Sequence, residues 1–415
     1  MRNEGGEKVL RRFGVAFVCV LLAGAAVLAA EPLQLANGSY VPLSNGERIY
    51  VRMAGHGPNT VILLPGNNCS GAIFEHLLSY VRAIDPINDA YTFYAFDYRG
   101  SGFSSYRHKI SSLEDFARDF DEIVQCDGRL SRGHITLVGY SMGFGVALEM
   151  VYLDPTKYDY LVSLAGIGTR GVRVFFNETT AGTDPATGKT YSPGDWADSL
   201  QAVAFQQRSW QGEARSFENV KQMWDMLVFN DILKYNPLTL TPQEPAFTAN
   251  PFYLKALEDV LTVQYMPESL YACHMCNATP DPLGHTNSDG TEVVIPGSGR
   301  ITALAGKRVL LVKARSDYLS WRGDLVVMDG TFQNTKYDLK EAGAHVDAVL
   351  IEPDRGFDHG FPIDHPLQVL KIITAFIAGK GKITEGALDA ILGEGNYTFY
   401  PHEETSWETG VYCGF

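Results

Sequence analysis

A serine set between glycines, Gly139-Tyr140-Ser141-Met142-Gly143, separates the apolar run Ile135 to Val138 from a helix-like stretch, Phe144 to Tyr152. The pattern predicts a strand that turns abruptly into a helix with the serine at the apex. Glycines two residues to either side let strand and helix approach closely. A helix that starts at such a turn aims its unpaired amide groups at the same point. The segment therefore belongs inside an open sheet covered by helices, and it puts a hydroxyl where a reacting group could meet it.

The rest of the chain supplies that sheet. Short apolar runs, Val61 to Leu64, Tyr91 to Phe96, Ile135 to Val138, Tyr160 to Leu164, Val309 to Val312 and Val346 to Ile351, alternate with longer amphipathic stretches. The stretches Gly71 to Ile84, Leu113 to Leu130, Met142 to Leu153 and Leu367 to Ala378 read as helices. Such alternation predicts an α/β fold: a mostly parallel central sheet with helices on both faces. Arg48 to Met53 is expected as an antiparallel edge strand. From Gly168 to Arg300 the alternation stops, so residues 169–300 are predicted to form a large, mainly helical inserted cap. Within it, Thr179 to Gly194 is turn-rich, Trp196 to Arg208 and Phe217 to Asn230 are helix-like, and Pro280 to Gly299 reads as a Gly/Pro-rich loop. Core segments are assigned to 31–168 and 301–380. The tail, 381–415, carries Tyr397, Phe399, Tyr400, Trp407, Tyr412 and Phe415, enough aromatic surface to predict docking on core or cap.

The 415-residue chain is 45% hydrophobic, sufficient for a large core, and a net charge of −14 excludes a nucleic-acid partner. Lys8, Arg11 and Arg12 precede an apolar stretch, Phe13 to Leu28, and the small residues Ala29 and Ala30. That order predicts a signal peptide over 1–30, with an uncleaved anchor as the alternative, and hence a secreted or extracytoplasmic protein without a later membrane span. Five N-x-S/T sequons, at Asn37, Asn68, Asn177, Asn277 and Asn396, make glycosylation an expectation in a eukaryotic host. Outside the leader lie Cys69, Cys126, Cys273, Cys276 and Cys413, an odd number that cannot all pair. Cys273-His274-Met275-Cys276 with His285 lacks a second close ligand pair, so a disulfide in the cap or to the tail is expected there rather than a metal.

With these parts in this order, the chain resembles the α/β-hydrolase fold superfamily over roughly residues 48–168 and 301–378, the serine turn matching its nucleophile elbow. The resemblance implies nucleophile, acid and histidine in that chain order. Ser141 matches the nucleophile. Asp317, beyond the run Val309 to Val312, matches the acid, with Asp324 and Asp329 as fallbacks. His359, in the loop Gly356-Phe357-Asp358-His359-Gly360-Phe361-Pro362, matches the base in preference to His365, His345 or His402. The interval from Asp317 to His359 is longer than is common in the family, with extra residues around Trp321 to Thr335. Oxyanion donors fall on the amides of Met142 and Asn67, the latter in Pro65-Gly66-Asn67-Asn68, with Asn68 as the nearby alternative. Asp97-Tyr98-Arg99-Gly100-Ser101-Gly102 reads as a turn pinned by an ion pair, and Tyr98 and Asn68 are expected to line the substrate site. Cap aromatics, Trp196, Phe205, Trp210, Phe217, Trp224 and Phe229, are expected to form the cap's own core.

A serine at the elbow implies acyl transfer through a serine ester, where an aspartate would imply dehalogenase or epoxide hydrolase chemistry. The leading expectation is a serine hydrolase cleaving a small-molecule or lipid ester, or a thioester, lactone or small amide, with no metal or organic cofactor. An acyltransferase is the first alternative, since Ser141-Met142-Gly143 with Ala147-Leu148-Glu149 and Ala342-Gly343-Ala344 resemble the homoserine acetyltransferase branch. A proline-iminopeptidase-like peptidase is another, from Arg99-Gly100-Ser101-Gly102. A binding protein that has lost turnover is the third.

Overall fold

The computed structural model of the protein describes residues 35–403 except 129, 131–134, 179, 212–250, 316, 318–326 and 353–356. The expected signal peptide, the stretch Phe217 to Asn230, Asp324 and the last twelve residues lie outside the described residues.

Nine strands form one sheet: β1 (Ser39–Pro42), β2 (Arg48–Gly55), β3 (Asn59–Leu64), β4 (Tyr91–Phe96), β5 (Ile135–Tyr140), β6 (Tyr158–Leu164), then β11 (Arg308–Ala314), β12 (His345–Ile351) and β13 (Tyr397–Tyr400). Their order is β1-β2-β4-β3-β5-β6-β11-β12-β13. The six strands from β4 to β12 run parallel, while β1, β2 and β13 pair antiparallel at the margins. The sheet is thus the mostly parallel one expected. Two details differ: β1 lies outside β2, so Arg48–Gly55 is not the edge, and the tail adds an edge strand, β13, beside β12.

Every residue of β4 and β5 is buried, as a strand covered on both faces requires. Alternation then sorts side chains into two layers. Ile62, Leu64, Leu137, Leu161, Val309 and Leu311 pack on one face with Phe116, Phe120 and Ile123 of the helix Leu113–Cys126 and Val146 and Met150 of Met142–Leu153. Val61, Leu63, Val138, Val162, Leu310 and Val312 pack on the other with Leu77 and Val81 of Glu75–Ala83 and Leu370, Ile373 and Phe376 of Pro366–Ala378.

Between β6 and β11 the described residues contain a short hairpin, β7 (Gly182–Thr183) and β8 (Thr190–Tyr191), three helices, Leu200–Gln211, Pro251–Val260 and Met266–His274, and a second hairpin, β9 (Leu283–Thr286) and β10 (Glu292–Ile295). The second hairpin replaces the loop expected over Pro280 to Gly299. Its alternation buries Val293 and Ile295 against Trp196, while a turn at Asn287–Gly290 reverses the chain. Phe176, Tyr191 and Val203 make a separate small core, with Phe205 packed against it. No helix of the described residues is long and apolar enough to cross a membrane.

Candidate active site

Ser141 sits between β5 and the helix Met142–Leu153 with φ 51° and ψ −120°, a conformation that costs a non-glycine residue about 1–3 kcal/mol. The fold holds it there. Its amide donates to the Leu164 carbonyl at 3.0 Å, and its carbonyl accepts from Phe144 at 3.1 Å and Ile167 at 3.0 Å. Both flanking glycines are obligatory for close approach: a Cβ on Gly139 would lie 2.3 Å from the Phe144 Cα, and one on Gly143 would lie 2.1 Å from the Leu64 carbonyl oxygen. Ser141 occupies the helix N-cap position, yet its hydroxyl makes no capping bond and the side chain is half-buried. Met142 is the first helical residue, so the helix has no carbonyl for its amide.

The register Leu64↔Gly139 between β3 and β5 brings the loop after β3 beside the elbow. A Cβ on Gly66 would fall 3.2 Å from the Ser141 Cβ and 3.1 Å from the Tyr140 ring. Within the loop, the Asn68 amide donates to Asn67 Oδ1 at 3.0 Å, and the Cys69 thiol donates to the Asn67 carbonyl at 3.3 Å. Asn68 has its amide engaged and a left-handed φ of 58°, and its buried Oδ1 has no partner. Of the two candidate donors in the loop, the Asn68 amide is thus engaged within the loop itself.

Asp317 follows β11, its amide turned back onto the Ala314 carbonyl at 3.1 Å, and is fully buried. His359 follows β12 and is 3% exposed. Its Nδ1 lies 3.0 Å from Asp317 Oδ2, across 42 residues of sequence. An ionised carboxylate only accepts, so Nδ1 carries the proton in this pair and Nε2 presents a lone pair. The imidazole packs 5.3 Å from the Tyr140 ring, next in sequence to Ser141. Asp358 steadies the turn by accepting from the Gly360 amide at 2.8 Å. The helix Val327–Glu341 lies in the crossover between the parallel strands β11 and β12.

The other histidines lie elsewhere. His365 stacks on Phe357 with ring centroids 3.9 Å apart, and His345 and His402 contact each other at 4.6 Å beside β12. Burial and the neighbouring Arg173 cation push His274 down to about 3; its Nδ1 accepts from the Val174 amide at 3.0 Å and its buried Nε2 has no partner. Cys69, Cys126, Cys273 and Cys276 carry free thiols, so the disulfide expected at Cys273 or Cys276 is not formed among the described residues. No three His, Cys, Asp or Glu side chains among the described residues converge as a cation site would.

Tyr98 occupies a different place from the one expected. It is fully buried, packed on Phe116, and its hydroxyl donates to the Pro65 carbonyl at 2.8 Å. It supports the loop from beneath and does not line a surface. The rest of its motif forms the pinned turn: Arg99 Nε donates to Asp119 at 2.6 Å, and Asp97 accepts from the Gly71 and Phe103 amides at 2.8 and 2.9 Å. Burial, which outweighs the adjacent Arg52 cation, raises Asp97 to about 6.

A family model described as "alpha/beta hydrolase fold" matches residues 59–234. No curated protein shows significant sequence similarity to the chain. Among solved structures, a thermophilic esterase from Thermogutta terrifontis superposes with a TM-score of 0.51 at 15% identity, over 83% of this chain and all of that one. A structure from work on carboxylesterases of the ammonia-oxidizing thaumarchaeon Nitrososphaera gargenis gives 0.51 at 14%, over 82% and 98%. The meta-cleavage product hydrolase of Pseudomonas fluorescens also gives 0.51 at 14%, over 83% and 98%. At such identities the likeness is one of fold.

Proposed function

We propose that the chain, which carries the α/β-hydrolase fold, is a serine hydrolase cleaving a carboxylic ester, or a related thioester, lactone or small amide, through an acyl-serine intermediate. The observation that carries the reading is the buried Asp317–His359 pair, 3.0 Å apart, on loops that follow neighbouring strands of the sheet whose elbow bears Ser141. A serine hydroxyl is a poor nucleophile until a base takes its proton. Asp317 fixes the imidazole tautomer and stabilises the imidazolium that forms; His359 Nε2 accepts the Ser141 proton as Oγ attacks the carbonyl carbon. The resulting oxyanion meets the amides of Met142 and Asn67, worth several kcal/mol in a site that excludes water. His359 then protonates the leaving alcohol, and water repeats the sequence on the acyl-serine to release the acid. The leader over 1–30 would deliver this activity outside the cytosol, and residues 169–300 would cap the site and select the acyl or alcohol portion.

Turnover of a panel of p-nitrophenyl esters of increasing chain length tests the proposal. Wild-type protein is expected to release p-nitrophenol and Ser141→Ala to lose that release. Equal rates for the two proteins would overturn it. Product formed with an alcohol in strong preference to water would reassign the enzyme as an acyltransferase.

A further inference from the structure

The segment from Asp259 to Ser269, within the insertion, reaches the loop that follows β3 at three places. Ser70 Oγ donates to Asp259 Oδ2 at 2.6 Å, the Tyr265 hydroxyl donates to the Cys69 carbonyl at 3.3 Å, and Ser269 Oγ donates to Asn67 Oδ1 at 2.5 Å. Arg52 of β2 bridges Asp259 and Asp97 at 3.2 Å each, joining the same segment to the sheet. The loop after β4 is held likewise: the Gly102 amide donates to Thr262 Oγ1 at 2.7 Å and the Gln264 amide to the Gly100 carbonyl at 2.9 Å.

Of these contacts, only that of Ser269 reaches Asn67, the residue whose amide the proposed mechanism assigns to the oxyanion. The Ser269 hydroxyl has one proton and two acceptors in range, Asn67 Oδ1 at 2.5 Å and the Met266 carbonyl at 3.1 Å, and the shorter contact takes it. Asn67 Oδ1 also accepts the Asn68 amide at 3.0 Å. The side-chain carbonyl is thus held from two directions, by the fully buried Ser269 of the insertion and by the loop's own backbone. Gly66 precedes Asn67 and has no Cβ to restrict rotation of the peptide that carries the Asn67 amide. An outside anchor on the Asn67 side chain supplies the restriction that Gly66 lacks.

We infer that Ser269 is a positioning residue of the oxyanion site: through Asn67 Oδ1 it fixes the direction of the Asn67 amide, so that the inserted segment completes the machinery of the elbow. The inference rests on the acyl-serine reading and assigns a function to one hydroxyl of the insertion. A donor displaced from its direction loses part of its stabilisation of the oxyanion while substrate still binds, so the effect falls on kcat and not on KM.

The experiment compares steady-state p-nitrophenyl butyrate hydrolysis by full-length wild type, Ser269→Ala, Ser269→Thr, Asn67→Ala and the double variant Asn67→Ala/Ser269→Ala. Removing a whole oxyanion donor costs ~10²–10³ in kcat, so misdirecting one is expected to cost roughly 10- to 100-fold in Ser269→Ala with KM within about twofold. Ser269→Thr keeps the hydroxyl and is expected to recover most of the loss. Asn67→Ala retains the amide and deletes the anchor, so it should match Ser269→Ala, and the double variant should be no slower than either single one. Thermal unfolding of each variant keeps the comparison among folded proteins. Wild-type kcat in Ser269→Ala, losses confined to KM, or additive losses in the double variant would overturn the inference while wild type still turns over. Failure of wild type itself to hydrolyse any ester would instead remove the acyl-serine reading, and this inference with it.

Discussion

Replacing Gly143 by alanine adds a single carbon at the closest approach of the elbow helix to the rest of the sheet. The new Cβ would stand 2.1 Å from the Leu64 carbonyl oxygen and 2.7 Å from that of Pro65. Both are backbone atoms, so no side-chain rotation relieves the clash. Ordinary contact begins at 3.4 Å, which obliges the start of the helix and the end of β3 to separate by about 1.3 Å. Overpacking of this kind costs ~1–3 kcal/mol, and relief by movement shifts the Met142 amide relative to Asn67. A displacement near 1 Å at a reacting centre costs ~10²-fold in rate. Gly143→Ala is therefore expected to lower the urea midpoint by an amount equivalent to about 2 kcal/mol and kcat by roughly 100-fold. The control is Gly386→Ala, in the helix Glu385–Leu392 with nothing within 4 Å of the added carbon. It should leave kcat unchanged and raise stability by about 0.5 kcal/mol through helix propensity. Wild-type stability and rate in Gly143→Ala would refute the argument that close backbone packing sets the elbow geometry.

Asp317→Asn should keep the fold but reduce kcat by roughly 10³–10⁴, because an amide can offer its hydrogen to Nδ1 and so favour the wrong tautomer of His359; a loss below tenfold in ester turnover would remove Asp317 from its role. His274 is neutral in the fold down to about pH 3, whereas in the unfolded chain it gains a proton below about 6.5. The unfolded state therefore binds more protons between those values, and stability present above 6.5 is lost as the pH falls towards 3. His274→Gln should flatten urea midpoints across that window, by at most about 5 kcal/mol; parallel profiles for the two proteins would contradict the buried neutral assignment.

The sheet was legible because its inner strands, such as Tyr91–Phe96 and Ile135–Tyr140, are apolar on both faces and separated by helices of recognisable period. Its margins were not. Ser39–Pro42 is too short to carry an alternation, and Tyr397–Tyr400 becomes a strand only because β12 offers an open edge to pair with. The hairpin over Leu283–Thr286 and Glu292–Ile295 was hidden by the glycines and prolines around it. At the site, the chain order and strand offsets implied by the resemblance to α/β-hydrolases singled out Ser141, Asp317 and His359, and the fold joins the last two at 3.0 Å. Tyr98 was read from its place after a strand, where sequence says nothing about which way a ring turns; it turns inward to Phe116 and Pro65. Ser269 carried no signal at all. Its contact with Asn67 spans 202 residues, and a serine on a helix has no local mark of such a partner.

The most direct test is the site of covalent modification. Full-length protein is treated with a fluorophosphonate, digested and mapped by mass spectrometry. The account predicts one adduct, on the peptide bearing Ser141, formed in wild type, slowed in Asp317→Asn and absent from Ser141→Ala. An unmodified Ser141 in folded protein, or equal labelling of the Ser141→Ala variant, would contradict it.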